Sequence, residues 1–143
     1  TKEQNKVTDA TIEQEIQNKG KTAPRVTPAD IEANVASEHY FTAADGVDGA
    51  DIESLRNEST DEDVVITAVG RCVGKSGTPM ETLGLLTFCV LVLRNGFTVT
   101  GESACASPEN FDAEIGRKIA RQNAVAKIWP LMGYELRSQL SKA

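Results

Sequence analysis

The sequence contains few of the residues on which most enzymes depend. It has a single histidine, His39, three cysteines and only 5% aromatic residues. One histidine excludes metal sites built on paired histidines and leaves at most one imidazole for acid–base chemistry. The cysteines, at positions 72, 89 and 105, form no C-x-x-C spacing, which indicates reduced thiols rather than a disulfide framework. The sequence therefore predicts a protein that is not an enzyme and has no metal site and no cofactor.

Long apolar runs and an excess of basic residues are also missing. The longest apolar run, Leu83 to Leu93, is interrupted by Gly84 and Thr87 and is too short to span a bilayer. Residues 1–20 contain no apolar block of the kind found in signal peptides, so we expect a cytoplasmic protein with no membrane partner. The net charge of −6 argues against binding to duplex nucleic acid, because phosphate contacts require concentrated Lys and Arg.

The length of 143 residues and the 40% hydrophobic content predict one domain with one core, over residues 1–143. Thr8 and Asp9 provide helix-capping chemistry, and Gly20 can close the helix that follows them. A second helix is expected to begin at Thr27-Pro28 and to end near residues 39–41. The N-terminal part of the chain is therefore predicted to be helical.

The middle of the sequence contains an acidic stretch followed by a stretch rich in β-branched residues. Residues 42–63 are rich in Asp and Glu and contain two glycines, which predicts an acidic mobile loop. Val64 to Val73 is rich in β-branched residues and predicts a strand, followed by a loop at Gly74, Gly77 and Pro79. We expect residues 64–82 to be a variable insertion that contains this one strand.

A β-hairpin is the strongest local prediction. The apolar run at residues 85–93 predicts a central strand buried on both faces. Asn95-Gly96 follows it, and both residues accept the positive φ angles of a tight hairpin turn. The partner strand is expected from Phe97 to Gly101, with an extension to Ala104 left open. The expected fold class is α+β, with a small antiparallel sheet.

The C-terminal part of the sequence predicts a long helix that begins at Ser107-Pro108. Phe111, Ile115 and Ile119 recur at helical spacing and predict its apolar side, which Ala124, Val125 and Ile128 continue. Pro130 removes an amide donor and clashes with the preceding turn, so we expect the helix to be kinked or broken there.

One motif resembles a phosphate-binding loop but differs from it in its spacing and in the residues that follow it. Residues 70–76 end in Gly-Lys-Ser but place one residue too few between the two glycines, and Gly77, Thr78 and Pro79 follow instead of a helix. Residues 107–143 carry six bases and four acids, whereas residues 1–106 carry a net charge of −8. Two interpretations of this basic C-terminal region remain open, a binding site for a small anion and a solvated helix face.

Candidate ligand-binding residues combine guanidinium, carboxamide and aromatic groups near the predicted hairpin and helix junctions. Guanidinium groups bind phosphate, aromatic rings stack on bases, and carboxamides bind base or ribose edges. Arg117 and Arg121 lie four residues apart, on one helix face. The alternative is that the aromatic residues belong to the core. The candidates are Arg94, Asn95, Phe97, Asn110, Arg117, Arg121, Trp129 and Tyr134.

Residues 86–140 resemble a family of small tailed-phage proteins, the gene-product-49 or gene-66-like family. The resemblance rests on NGF, GESA, NFDAEIGRKIA and IWPLMGY, which occur together and in this order. The stretch RVTPADIEANVASEHYFTAADGV, Arg25 to Val47, resembles the first half of the same family. The family label implies a phage accessory protein and no established chemistry.

The predicted hairpin followed by C-terminal helices also resembles, in architecture alone, phage anti-defence proteins that inhibit Thoeris or CBASS immunity. That resemblance implies a homo-oligomer that sequesters a cyclic nucleotide signal, of the cyclic ADP-ribose type or a cyclic oligonucleotide, in the host cytoplasm. Two alternatives stay open. One is a host-protein-binding decoy that uses the acidic stretch 45–63, and the other is a minor virion or assembly component.

Overall fold

The computed structural model describes residues 7–58 and 79–143. Helices and strands confirm the α+β class, and the predicted strand at Val64–Val73 and the motif at residues 70–76 lie outside the described residues. The elements are α1 (Asp9–Asn18), α2 (Pro28–Asn34), β1 (Val35–Thr42), α3 (Ala43–Glu58), α4 (Pro79–Leu83), β2 (Leu86–Leu93), β3 (Thr98–Ala104), a 3-10 turn (Pro108–Asn110) and α5 (Ala113–Ser141).

The three strands form an antiparallel sheet in the order β1-β2-β3, and α5 packs across one of its faces. Cys89 of β2 pairs with Tyr40 of β1 on one side and with Gly101 of β3 on the other. Burial alternates along β2, so every second side chain is buried under α5 and the others are partly exposed. The expected central position of β2 is confirmed, whereas burial on both of its faces was wrong.

The Asn-Gly hairpin is confirmed with a different turn geometry. Gly96 has φ +87°, and no non-glycine residue in the described ranges has a positive φ. The Gly96 N–H donates to the Leu93 carbonyl at 2.9 Å, and the Leu93 N–H donates to the Phe97 carbonyl at 2.8 Å. Within the three-residue loop 94–96, therefore, only Gly96 adopts the left-handed conformation. Asn95 contributes its side-chain oxygen instead, which accepts the Phe97 N–H at 2.9 Å.

The helix α5 approaches β3 so closely that Gly101 must be a glycine. A Cβ at Gly101 would lie 2.0 Å from the Ala120 carbonyl oxygen and 2.3 Å from the Ala124 nitrogen. The small residues Ala120 and Ala124 therefore face Gly101, and Gly116 and Ile128 complete the buried side of α5. The predicted apolar side is confirmed at Ala124 and Ile128, which are fully buried, and was wrong at Ile115 and Ile119, which are 56% and 42% exposed.

Both predicted ends of the C-terminal helix differ from the structure. The Ser107 hydroxyl donates to Glu109 at 2.5 Å and caps nothing, and α5 begins only after Asp112, whose carboxylate accepts the Ile115 N–H at 3.0 Å. The expected break at Pro130 was also wrong, because α5 continues to Ser141. Trp129 and Met132, on either side of Pro130, both pack against the core, and this packing offsets the hydrogen bond that proline removes.

The N-terminal helices begin as predicted, but the second one is short. Capping boxes open α1 at Thr8 and α2 at Thr27, and Ile31 of α2 is buried in the core. The expected continuation of α2 to residues 39–41 was wrong, because the chain enters β1 at Val35 and pairs with β2. Backbone pairing with a neighbouring strand determines this segment more strongly than its local helical spacing does.

The sequence predicted a loop over residues 42–63, but the structure places a helix at residues 43–58; residues 59–63 lie outside the described ranges. The Thr42 hydroxyl accepts the Asp45 N–H at 3.1 Å, and the Asp45 carboxylate accepts the Thr42 N–H at 2.9 Å. This reciprocal pair starts α3, which runs to Glu58 and contacts β1, β2 and α4. The acidic residues of α3 are therefore carried on a regular element.

Candidate functional site

The hairpin, α2 and the later turns of α5 lie at one end of the sheet, called here the hairpin end. Gly116 lies against Thr87, near the start of β2, whereas Ala120 and Ala124 lie against Gly101, which is nearer the hairpin, so α5 runs towards the hairpin. The Asn123 side-chain amide also donates to the Glu102 carbonyl at 2.8 Å. The three residues from Gly101 to Thr98 span about 10 Å. That distance corresponds to about seven helical residues, so Thr98 is roughly level with Trp129.

The hairpin is tied to α2 by Arg94. Its backbone N–H donates to the Asn34 carbonyl at 3.0 Å, and its side-chain Nε donates to the Ala33 carbonyl. These bonds use the carbonyl groups at the end of α2, which have no partner inside the helix. Arg94 therefore fixes the hairpin against α2.

Arg121 connects α5 to both α2 and β1. Its two terminal nitrogens donate to the Glu32 carboxylate at 3.0 and 2.7 Å, and its Nε donates to Glu38 at 2.9 Å. The hydrogen bonds from Arg121 lower the pKa of Glu32, and the bonds to Glu32 and Glu38 raise the pKa of Arg121. The Arg121 side chain remains 28% exposed, so the cluster borders solvent.

Tyr40 extends this cluster under α5. Its hydroxyl donates to Glu38 at 2.9 Å, and burial, followed by that bond, raises the pKa of Tyr40 to about 12. The Arg117 guanidinium carbon lies 6.0 Å from the centre of the Tyr40 ring, at the outer limit of a cation–π contact. Arg117 and Arg121 therefore lie on the same side of α5, and among the residues that the structure describes only Arg121 of the two has an ion-pair partner.

Two adjoining cavities surround Trp129 at the hairpin end. The larger has a volume of about 550 Å³ and lies between the start of α1 and the outer side of α5. The smaller, of about 240 Å³, is called here the recess, and its walls come from α1, the start of α2 and Trp129. Residues that line the larger cavity include Thr8, Asp9, Glu32, Arg121, Gln122 and Trp129.

One ion pair holds α1 beside the recess. Arg25, in the connection between α1 and α2, donates to Glu13 at 2.6 and 2.7 Å with both terminal nitrogens. This pair, with a further bond from Gln17, lowers the pKa of Glu13 to about 2. Because none of the residues of α1 is buried, the pair is a principal attachment of α1 to the rest of the chain.

The predicted site residues fall into three groups. Arg94, Asn95 and Phe97 lie on the hairpin, and Phe97 is 56% exposed. Arg121 and Trp129 line the larger cavity, and Tyr134, 79% exposed, follows on α5. Arg117 lies over Tyr40, away from the cavity walls, and Asn110 lies in the 3-10 turn at the opposite end of the sheet.

Sequence reasoning missed the other half of the cavity. Asp9, Glu32 and Gln122 were not singled out, because no local pattern connects them. Arg121 and Glu32 are separated by 89 positions, and only the folded sheet brings α2 beside α5. Gln122 precedes Trp129 by seven positions, so both lie on one helix face, and this spacing is a signal from which Gln122 could have been identified.

The single histidine and the buried cysteine Cys89 lie away from the larger cavity. The ring nitrogen Nε2 of His39 is 3.1 Å from the Ser37 hydroxyl, on β1. Cys89 is fully buried, and burial raises the pKa of its thiol. The described ranges contain no group of three or more His, Cys, Asp or Glu side chains placed to hold a metal ion. Within the same ranges, no helix has the length and apolar character needed to cross a membrane.

Comparison with known proteins supports the resemblance found in the sequence. The family described as Phage protein (N4 Gp49/phage Sf6 gene 66) matches residues 26–140. That range includes Glu32, Arg121, Gln122 and Trp129, whereas α1 precedes it. No curated protein and no solved structure matches the chain.

Proposed function

We propose that this chain, which belongs to the Phage protein (N4 Gp49/phage Sf6 gene 66) family, captures a small cyclic nucleotide in the larger cavity and withholds it without cleaving it. The observation that carries the proposal is the composition of one cavity wall. An indole ring, a guanidinium group and a carboxamide border a space of about 550 Å³. This volume lies within the range of about 300–1,000 Å³ that is usual for small-molecule sites.

Each of these groups has a role in nucleotide recognition. The Trp129 ring offers a face for stacking on a base, which contributes about 1–3 kcal/mol in proteins that bind single strands. The Gln122 carboxamide provides a donor and an acceptor for a base or ribose edge. The Arg121 guanidinium has the planar fork that binds a phosphate through two parallel hydrogen bonds.

A bound phosphate must compete with the carboxylates that hold Arg121. Glu32 forms the bidentate pair and keeps 56% of its side chain exposed. An ion pair at this exposure contributes little net free energy, about 0–1 kcal/mol, so its exchange for a phosphate costs little. The same carboxylates compete with any anion that binds Arg121 weakly. This competition favours a ligand whose base also stacks on the Trp129 ring.

The positions of the reactive side chains support capture without turnover. Cys89, His39 and Tyr40 do not line the cavity. The side chains that do line it bind and orient a ligand. We therefore propose that the ligand leaves the protein chemically unchanged.

The test is calorimetry with cyclic dinucleotides, cyclic trinucleotides and cyclic ADP-ribose isomers, using three proteins and a control. We expect one ligand class to bind the wild type, and Arg121→Ala to weaken that binding at least about tenfold, the loss of roughly one charge-assisted contact. Glu32→Gln should tighten binding, because it releases Arg121. Lys118→Ala, whose exposed partner is Glu114, is the matched control.

Two results would contradict the proposal. One is the absence of both heat and thermal shift across the whole panel. The other is a binding ligand whose affinity is unchanged in Arg121→Ala and in Glu32→Gln. The proposal that the ligand is not cleaved is tested by heating the complex to release the bound ligand and analysing that ligand by chromatography. A degraded product would show turnover.

A second candidate function is docking on a host protein through α3. It is favoured by the finding that the acidic stretch is a helix, with Asp45, Asp48, Asp51 and Glu53 on a regular element. A pull-down from host lysate with the wild type and with these four residues changed to Asn or Gln tests it. A stoichiometric host protein that both forms retain equally would count against α3 as the docking element.

A further inference from the structure

The helix α5 is longer than the sheet on which it packs. Its 29 residues span about 43 Å, whereas the eight residues of β2 span about 27 Å. Burial confirms the difference, because the last fully buried residue of α5 is Ile128. The turns from Leu131 to Ser141, called here the arm, therefore continue beyond the hairpin end.

One face of the arm is apolar and continues the line of Trp129. Each residue turns a helix by about 100°, so positions i, i+4, i+7 and i+11 fall within about 60° of one another. Trp129, Gly133, Leu136 and Leu140 have this spacing and form what we call the arm stripe. All four are exposed or partly exposed, and Leu140 is 42% exposed.

The recess lies beside the first residue of the arm stripe. Ile12 and Ile16 of α1, together with Val26, Pro28 and Trp129, give it an apolar wall. Ile12 is 44% exposed, so the recess opens to solvent. One chain thus carries an open apolar recess and, about 16 Å further along the same helix face, the exposed side chain of Leu140.

We propose that the occupant of the recess is a second copy of this chain. Two arms that cross antiparallel about a twofold axis, between Gly133 and Leu136, place Leu140 of each copy at the recess of the other. Such a contact is self-complementary, because each copy supplies the same recess and the same arm. The inference goes beyond the proposed function and does not depend on a nucleotide ligand.

Charge complementarity favours a second copy over another apolar occupant. The charged residues that line the recess are Asp9, Glu13 and Arg25, which gives it a net charge of −1. The arm carries Arg137 and is followed by Lys142, against a single acid, Glu135, which gives a net charge of +1. The antiparallel crossing brings the end of the basic arm to the recess of the other copy, where the opposite net charges attract.

Gly133 fits the crossing point. A Cβ at Gly133 would meet no atom within 4 Å in its own chain, so the glycine leaves open space on the arm stripe. A helix interior with glycine costs about 1 kcal/mol relative to alanine. Close approach of a second helix uses that space, as small residues permit at other helix crossings.

The test compares two leucines of α5 with the same type and nearly the same exposure. Leu140 is 42% and Leu131 is 40% exposed, but nine positions separate them, so they point to opposite sides of the helix. At about 100 μM, a dimer with a Kd of roughly 10 μM is mostly assembled. Light scattering on a sizing column should give twice the 15.4 kDa chain mass for the wild type and for Leu131→Glu.

Leu140→Glu should give the chain mass, and Gly133→Leu should do the same by filling the crossing point. Circular dichroism at matched concentration shows whether each variant keeps its helix content, because both positions are solvent-accessible. A wild type with the mass of one chain overturns the proposal. A dimer that dissociates in Leu131→Glu and persists in Leu140→Glu overturns it as well, because the interface then uses the other side of α5.

Discussion

The two sides of α5 are attached to the rest of the molecule by different forces. Towards β3, the helix backbone lies directly on Gly101, because the helix residues on this side include alanines and a glycine. Towards α2 and β1, a long side chain, Arg121, reaches two carboxylates across a gap that borders solvent. The first contact depends on volume and excludes water, whereas the second depends on charge and admits it.

This difference indicates where a ligand has access. A close-packed contact cannot accept another group without moving a backbone. A solvated ion pair can exchange one acceptor for another, because each partner keeps part of its hydration. Both cavities around Trp129 lie on the ion-paired side, and neither is lined by a residue of β3.

The largest expected effect is that of Gly101→Ala. The added Cβ would lie 2.0 Å from a helix carbonyl, so either α5 or β3 must move. We expect a loss in the free energy of unfolding of about 4 kcal/mol, at the upper end of the range for point substitutions. Chemical denaturation measures it.

Gly49→Ala is the matched control, because Gly49 lies inside α3 and a methyl group added there would meet no atom within 4 Å. Alanine should stabilise that helix by about 0.5–1 kcal/mol. Equal and small effects at Gly101 and Gly49 would contradict the close contact between α5 and β3.

The contrast between the two sides also explains which parts of the fold the sequence predicts. The Asn-Gly hairpin and the caps at Thr8 and Thr27 depend on neighbouring residues and are confirmed. The buried side of α5 depends on its distance from β3, which no periodicity reports. Helical spacing identified Ala124 and Ile128 correctly, but it also selected Ile115 and Ile119, because spacing does not show that small residues are needed against Gly101.

The residues of the candidate site also divide into those that the sequence predicts and those that only the folded chain brings together. Arg121 and Trp129 were predictable because guanidinium and indole groups are chemically distinctive. Glu32 and Asp9 were not, because ordinary acids are common in this sequence and their partners are distant in it. Asn110 and Arg117 have suitable chemistry, but the fold places them away from the cavities.

A smaller effect is expected for Arg121→Ala, on the ion-paired side. It removes the guanidinium partner of Glu32 and Glu38, but Glu38 keeps the bond from Tyr40 and both carboxylates are partly hydrated, at 56% and 38% exposed. We expect a loss of about 1 kcal/mol, well below that of a buried ion pair. A double-mutant cycle with Glu32→Gln should give a stabilising coupling free energy between Arg121 and Glu32 of roughly 0.5–1 kcal/mol. A loss as large as that of Gly101→Ala would show that both sides of α5 depend on close packing.

The smallest effect concerns α1, which reaches the ion-paired side through Glu13 and Arg25. The pKa of Glu13 in the folded chain is about 2, below its ordinary value of 4.5. A carboxyl group with a lowered pKa stabilises the fold above its ordinary pKa and loses that contribution as pH falls towards the folded value. The attachment of α1 should therefore weaken between about pH 4.5 and pH 2.

Trp129 is the only tryptophan and lines the recess with α1, so its fluorescence should change in this window. Glu13→Gln should show the low-pH emission already at neutral pH, whereas Glu15→Gln, which affects only the exposed pair with Lys19, should titrate like the wild type. Identical titrations of all three proteins would show that packing, rather than the Glu13–Arg25 pair, holds α1 in place.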